Sequence, residues 1–249
     1  MPSVIVTGAA GGIGKSLCEV FHSNGYRVIG IDKQEMIETL PYRMLRFDIT
    51  GAGKDKEETA AFYGEVDALL DGKLDVLVNN AAVQVVKRIE DVDAADWKET
   101  LDTNVLAPFW LIQRFLPFLR EAKGSVINIA SIHAVQTKAG FSVYAAAKGA
   151  LVAMTRALAV ELAPGIRVNA VVPAATDTPM LRAGFGTDTE GLRRLGEYHP
   201  LGRVARPDEV ARAVFFLAGS DSGFITGSTL HVDGGIGAVL HDPAAAFDS

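Results

Sequence analysis

Val4-Ile5-Val6-Thr7-Gly8-Ala9-Ala10-Gly11-Gly12-Ile13-Gly14 decides the fold of this chain. Three consecutive apolar residues make a short strand. Ile13, Leu17, Val20 and Phe21 then recur at helical spacing until Gly25 stops the helix. The turn between the two elements carries Gly8, Gly12 and Gly14, and glycine lets a backbone approach a ligand closely. The helix beyond it points free N–H groups and a partial positive charge at whatever lies there. A strand, a glycine-rich turn and a helix in that order make an anion site of the kind that holds a dinucleotide pyrophosphate.

The same alternation runs through the rest of the chain. Strands are predicted at Val28–Ile31, Met44–Phe47, Leu74–Val78, Ser125–Ala130, Ile166–Val172 and Ser228–Val232. Helical patterns fall through Phe62, Val66, Leu69 and Leu70, then from about Asp93 to Leu119, Ser142 to Leu162 and Asp208 to Leu217. The strands are apolar throughout, as a sheet covered on both faces requires. The expected architecture is α/β: a single domain over residues 1–249, with a doubly wound parallel sheet of about seven strands and helices on both faces. Two segments break the rhythm: Ala174 to Arg203, and a tail from Ala238 whose end, His241 to Ser249, reads as disorder.

Bulk properties exclude several classes. The 249 residues carry 24 Lys plus Arg against 30 Asp plus Glu, a net charge of −6. No basic tract supplies a nucleic-acid footprint. The single cysteine, Cys18, allows no intrachain disulfide and no cysteine-based metal cluster, and no metal site is expected. Met1-Pro2-Ser3 leads straight into a strand, so no signal peptide is expected. No uninterrupted apolar run reaches the ~18 residues of a membrane span. The expectation is a cytoplasmic protein with no membrane and no nucleic-acid partner.

Asp32 lies just after the second strand, 18 residues past Gly14. A carboxylate there accepts both hydroxyls of an adenosine ribose and repels a 2′-phosphate, which favours NAD over NADP. Lys33 beside it softens that repulsion. Asp48, after the third strand, reads either as a contact to the adenine edge or as a turn cap. Ser131 ends the fifth strand, and Tyr144 and Lys148 share one helix face at i, i+4. Asn79-Asn80-Ala81 follows the fourth strand, and Asn104 lies in the long helical stretch.

Taken together these residues resemble the classical short-chain dehydrogenase/reductase family, from Thr7 through Asp233-Gly234-Gly235. The resemblance implies a Rossmann-type, NAD(P)-dependent oxidoreductase with a tetrad of Asn104, Ser131, Tyr144 and Lys148. Tyr144 would exchange the alcohol proton, with its pKa lowered by Lys148 and the nicotinamide. Ser131 would hydrogen-bond the substrate oxygen, and Lys148 would hold the nicotinamide ribose. Cofactor contacts would come from Gly8, Gly12, Ile13, Gly14, Asp32, Asp48, Ile49, Asn80, Tyr144, Lys148, Pro173, Thr176 and Thr178. A substrate lid would cover about 178–203, carrying Arg182, Arg193, Arg194 and His199. The two arginines Arg193 and Arg194 read as a solvated helix face. Pro108 has no N–H, so in a helix the Asn104 carbonyl loses its donor and can hold a water; the family places a water there, linking the lysine to solvent.

Two positions depart from the family pattern. Ala82 and Ala174 stand where glycine is usual, and alanine is strained at positive φ. For the substrate, Gln84, Ser131, His133, Gln136, Phe141 and Tyr144 should border the pocket by family position. Ser131-Ile132-His133 followed by Phe141 is similar to bacterial hexose dehydrogenases. Gln84 with His133 is similar to short hydroxy-acid dehydrogenases, although Phe141 stands where those carry a lysine. The expected substrate is a small polar alcohol or ketone: a sugar, polyol or short hydroxy acid. The rivals are a 3-oxoacyl thioester reductase, an enzyme for a steroid or other bulky apolar alcohol, and a non-catalytic NAD-binding sensor. The apolar helix 142–162 and the helix through Trp97, Leu101, Val105, Phe109 and Ile112 need partners, so a homotetramer or homodimer is expected.

Overall fold

The computed structural model describes residues 1–35, 40–54 and 56–240, so the tail from His241 to Ser249 lies outside the described residues. Seven strands form one parallel sheet: β1 (Ser3–Thr7), β2 (Arg27–Asp32), β3 (Arg43–Arg46), β4 (Val76–Asn79), β5 (Ser125–Ile129), β6 (Arg167–Pro173) and β7 (Thr229–Val232). The spatial order is β3-β2-β1-β4-β5-β6-β7. From β1 the chain winds outward in one direction to β3, then returns and winds the other way to β7. Adjacent connections therefore leave in opposite directions at β1 and β4. A crevice opens at the carboxyl ends of the strands at such a switch point.

Strand residues alternate between two cores, following the period of two. Val4, Val6, Val28 and Val78 pack with Leu17 and Phe21 of α1 (Gly12–Ser23) and Val210 and Val214 of α8 (Pro207–Ala218). Ile5, Ile29, Leu77 and Val126 face the other way. They meet Phe62 and Val66 of α2 (Glu57–Leu69) and Leu111 and Phe115 of α4 (Ala107–Ala122). The strands thus have helices on both faces, as their largely apolar residues demand; of the polar ones buried among them, Asn79 donates through Nδ2 to Asn128 Oδ1.

The expected helix from Asp93 to Leu119 is three pieces. α3 (Ala94–Leu101) begins with a capping box in which Asp93 accepts from the Asp96 N–H and Asp96 accepts from the Asp93 N–H. A π-helical turn, Asp102–Leu106, follows, and then α4. Ala107 N–H bonds five residues back to Asp102 O, so the ladder slips by one residue immediately before Pro108. Proline has no N–H for the four-residue bond to Asn104, and a wider turn accommodates that loss.

The irregular segment after β6 contains two helices, α6 (Pro179–Phe185) and α7 (Thr189–Glu197). Each has a conventional start. Thr178 Oγ1 accepts from Leu181 N–H ahead of Pro179, and Asp188 accepts from Gly191 N–H. Glycines and charges hide both helices from a periodicity count. α5 (Ser142–Leu162) runs as its pattern predicts. By length and apolarity it would also pass for a membrane span, although no uninterrupted apolar run does; half of its most apolar 18-residue stretch is buried inside the protein.

Candidate active site

A cleft of about 1450 Å³ lies along the carboxyl ends of the strands. Ligand pockets for small molecules run to roughly 1,000 Å³, so there is room for a dinucleotide-sized group and a second small molecule. The glycine turn forms one wall. Thr7 Oγ1 accepts from Asn80 N–H at 3.0 Å and Ala81 N–H at 3.1 Å. Asn80 Nδ2 donates back to Thr7 O and Gly8 O at 2.9 and 3.1 Å. These bonds tie the turn to the end of β4. Gly8 has φ +65°, and a Cβ there would lie 2.7 Å from Ala81 Cα. A Cβ on Gly14 would lie 2.0 Å from Gly8 O, a backbone atom that cannot yield.

The N-terminus of α1 suits an anion. Its N-cap is Gly11, which has no side chain to satisfy the first N–H groups, and no acidic residue occupies the first turn. Gly12, Ile13 and Gly14 border the cleft at this end. Asp32, at the end of β2, is fixed beside the turn: its carboxylate accepts from Ala10 N–H and Gln34 N–H, both at 3.0 Å. Asp48 accepts from Thr50 N–H and caps the short 3₁₀ turn Ile49–Gly51, while also bordering the cleft with Ile49. Both sequence readings of Asp48 are therefore compatible. These residues fit a dinucleotide, with donors for phosphate and an acceptor for ribose.

Ser131, Tyr144 and Lys148 also border the cleft, on the β5 side. β2 and β5 are separated by β1 and β4, three strand spacings or about 14 Å. Lys148 is 2 % exposed; its Nζ donates to Ile129 O at 2.7 Å and lies 5.7 Å from the Tyr144 ring centre. Burial without a counter-charge pulls the Lys148 pKa from 10.5 down to about 7. Burial likewise pushes Tyr144 up to about 12, opposed by a hydrogen bond with Ser131. The expectation that Lys148 lowers the Tyr144 pKa is thus not what dominates; loss of water around both groups outweighs their proximity. Ser131 Oγ also accepts from His133 N–H at 3.2 Å.

Asn104 stands apart from the other three. It is fully buried in the π turn and does not border the cleft. Its side chain holds the Val83 main chain from both sides, accepting from N–H and donating to O, each at 2.9 Å. It therefore positions the segment after Asn80. Ala82 and Ala174 carry no strain: among the described residues, only Asp71 and Lys123 are non-glycine residues with positive φ. The backbone has simply taken conformations that alanine tolerates. Pro173, Thr176 and Thr178 border the cleft, but Thr176 Oγ1 already donates to Ala174 O and Thr178 caps α6. The Thr178 methyl also faces Gly12, where a Cβ would lie 2.8 Å from it.

Of the expected pocket residues, Gln84, His133, Gln136 and Phe141 border the cleft. His133 stacks on Phe141 at 4.2 Å and 4°, and both rings meet Tyr144 edge-on. His133 Nδ1 pairs with Thr137 Oγ1 at 2.8 Å. Burial and then Lys138 push the His133 pKa down to about 4, which keeps the ring neutral near pH 7. Arg182 is paired with Asp177, and Arg193 with Glu190 and Glu197, as a solvated face expects. Sequence reasoning missed Lys138, whose Nζ lies 5.0 Å from the Phe141 ring centre, and Ile236 and Val239 on the cleft wall. The last two arrive because β7 is parallel to β6 and ends on the same side. Gln136 Nε2 joins that turn to the site by donating to Gly237 O.

Comparison with known proteins agrees with this geometry. The family model described as "Enoyl-(Acyl carrier protein) reductase" matches residues 8–237. A "Glucose and ribitol dehydrogenase homolog" of Oryza sativa subsp. japonica is 38% identical, across 93% of this chain and 84% of its own. An "Acetoacetyl-CoA reductase" of Acinetobacter sp. (strain RA3849) is 32% identical across 93% and 96%. The ligand-free aldohexose dehydrogenase of Thermoplasma acidophilum superposes with a TM-score of 0.89 at 32% identity, covering 99% of this chain and 97% of that one. The chain belongs to the short-chain dehydrogenase/reductase family, oxidoreductases that act on CH–OH groups with an NAD(P) nucleotide.

Proposed function

We propose that this protein is an NAD-dependent oxidoreductase that interconverts a secondary alcohol and a ketone on a small polar substrate: a sugar, a polyol or a short hydroxy acid. The observation that carries the reading is that one cleft holds Asp32 and the uncapped α1 N-terminus on the β2 side, and Ser131, Tyr144 and Lys148 on the β5 side. When bound, the nicotinamide supplies the hydride acceptor or donor. Tyr144 Oη takes the alcohol proton during oxidation and returns it to the carbonyl during reduction. Ser131 Oγ donates to the substrate oxygen and orients it. Lys148 Nζ holds the ribose and, when charged, favours the phenolate. Asn104 is a positioning residue that fixes Val83, and its carbonyl, denied a donor by Pro108, holds a water between Lys148 and solvent. Helices α6 and α7 form the lid over 178–203.

Gln84, His133 and Phe141 give the substrate end a polar wall with one stacked aromatic face. The likeness to glucose, ribitol and aldohexose dehydrogenases supports a hydroxylated substrate. The decisive experiment measures NAD and NADP reduction over aldoses, polyols, 3-hydroxy acids and simple secondary alcohols, and NADH oxidation with acyl thioesters. Turnover confined to the thioesters overturns the reading in favour of a 3-oxoacyl reductase. Bound NAD with no turnover of any compound revives a sensor.

Asp32 sets the cofactor preference. Asp32→Ser removes the carboxylate that repels a 2′-phosphate and leaves Lys33 to attract it. The kcat/KM ratio of NAD to NADP falls by at least about 10-fold, the scale of one charge-assisted contact. Loosening of Ala10 affects both cofactors alike, so the ratio isolates the charge. A ratio that stays constant overturns the role of Asp32.

The assembly is proposed as a homotetramer, with a homodimer as its smaller form. Val160 on α5 is 83 % exposed, and Trp97, Leu106, Phe216 and Phe224 are also open. Apolar side chains of this size on an open surface gain by pairing with a second copy. Sedimentation equilibrium at micromolar concentration returns a multiple of the 26.4 kDa chain mass; a monomer overturns the proposal.

A further inference from the structure

We propose that Lys138 is a specificity-determining residue at the substrate end: its ammonium binds an anionic group of the substrate, a carboxylate or a phosphate ester, carried several bonds from the carbon that is oxidised. The inference rests on the alcohol–ketone reading above and narrows its substrate class to members that bear a negative charge. Lys138 is exposed and borders the cleft. Its Nζ lies 5.0 Å from the Phe141 ring centre, and that centre lies 6.3 Å from the Tyr144 ring centre. The cation thus sits one ring contact away from the residue that exchanges the proton.

Among the described residues, the Lys138 ammonium has neither an ion pair nor a hydrogen-bond acceptor; it rests on the Phe141 face. The other lysines of the cleft are accounted for. Lys98 is paired with Asp102, Lys33 stands beside Asp32 at the adenosine end, and Lys148 is buried on Ile129 O. The carboxylates that border the cleft leave Lys138 uncompensated. Asp32 and Asp48 lie beyond β1, after β2 and β3, and Glu99 and Asp102 belong to α3 and its π turn. The field of Lys138 also reaches into the site: after burial, it is what holds the His133 pKa down. The loop that carries it is fastened on three sides. Thr137 Oγ1 pairs with His133 Nδ1 at 2.8 Å, Gln136 Nε2 donates to Gly237 O at 3.3 Å, and Gly140 O accepts from Lys87 N–H at 3.0 Å. The backbone under the cation is therefore in place before a ligand arrives, and only the side chain is left to order.

The chemistry of the ammonium restricts the ligand. It only donates, and it is a compact point charge. A ring face at an exposed site satisfies it weakly, whereas a carboxylate or phosphate oxygen satisfies it through a charge-assisted hydrogen bond. A neutral hydroxyl offers it little that water does not. Lys138 therefore favours a hydroxy acid, a sugar acid or a phosphorylated sugar over the uncharged counterpart. A point charge on a flexible stem does not tell carboxylate from phosphate, so the two are separate arms of the test.

Compare wild type, Lys138→Met and Lys138→Arg on two matched pairs: 2-butanol against 3-hydroxybutyrate, and a pentitol against its terminal phosphate ester. Methionine keeps most of the stem and removes the charge. In wild type, kcat/KM favours the charged member of at least one pair, and that pair names the anion. Lys138→Met lowers the charged-to-neutral ratio by about 5- to 10-fold, mostly through KM, a size between that of an exposed and a buried ion pair. Lys138→Arg keeps most of the ratio. Salt at about 0.5 M lowers it in wild type and leaves it nearly constant in Lys138→Met. A disturbed Phe141–His133 stack moves both members of a pair together, so the ratio isolates the charge. A ratio equal in wild type and Lys138→Met, or a wild type that favours the neutral member of both pairs, overturns the inference. A wild-type enzyme with no turnover of any alcohol shows instead that the parent reading fails. For that case binding gives the answer. NADH fluorescence of the NADH complex, titrated with 3-hydroxybutyrate and with the phosphate ester, returns for one of them a Kd at least about 5-fold tighter in wild type than in Lys138→Met. Equal Kd values, or no binding of either anion, overturn the inference.

Discussion

Replacing Tyr144 by phenylalanine lowers kcat by about 10³-fold in both directions, or about 4 kcal/mol of transition-state stabilisation. The Kd for NADH, read by fluorescence titration, stays within about 2-fold, because the phenol is aimed at the proton in flight. The ring keeps its burial and its edge contacts with His133 and Phe141, so the fold survives the change. Burial raises the Tyr144 pKa to about 12, so the group is a phenol at neutral pH. A phenol is the form that gives its proton to a ketone, and the phenolate is the form that takes one from an alcohol. Oxidation by the wild type therefore rises with pH through the alkaline range, while reduction is favoured near neutrality. The Tyr144→Phe variant loses both dependences along with its rate. A kcat within tenfold of wild type would remove Tyr144 from the reaction.

Lys148→Met abolishes turnover and makes the protein more stable near pH 7. The ammonium is buried among apolar groups with Ile129 O as its hydrogen-bond partner. Its folded pKa of about 7 lies below the unfolded value of 10.5. Between those values the unfolded chain holds a proton that the folded chain lacks, so stability rises with pH across this window and falls as pH drops toward 7. The cost at pH 7 is on the order of 4 kcal/mol. Methionine fills the volume without a charge, but leaves Ile129 O without this donor, a loss of about 1–2 kcal/mol. The first effect is larger, so the variant gains about 2–3 kcal/mol, and Tm rises by roughly 5 °C or more. Denaturation at pH 7 and pH 10.5 checks the sign: the advantage shrinks at the higher pH, where the unfolded lysine also begins to lose its charge. A variant less stable than wild type at pH 7 would show that Lys148 rests comfortably in its site. The wild-type chain thus carries a destabilising group where the chemistry needs one.

Most of this site is legible before folding because its signals are local. The glycine turn announces itself by lying between an apolar triplet and a helical repeat. Tyr144 and Lys148 lie one turn apart, and Ser131 sits at a strand end. Each relation is a spacing along the chain, and a spacing becomes a position once the strand and helix periods are known. The alternation of strands and helices determines the doubly wound sheet in the same way, since a strand apolar on both faces must be covered twice.

What only the tertiary structure decided are the relations between distant segments. The π turn before Pro108 divides a stretch that reads as one helix. Nothing local shows that the Asn104 amide is spent on Val83, 21 residues away. The stack of His133 on Phe141 and the Ile236 wall both depend on which chain ends meet across the sheet. The pKa values of Tyr144 and Lys148 belong here too. Residue type gives the starting value, but the water excluded when α5 closes on the sheet moves it. Periodicity reports which face of an element is apolar, whereas desolvation and hydrogen-bond satisfaction depend on everything packed against it.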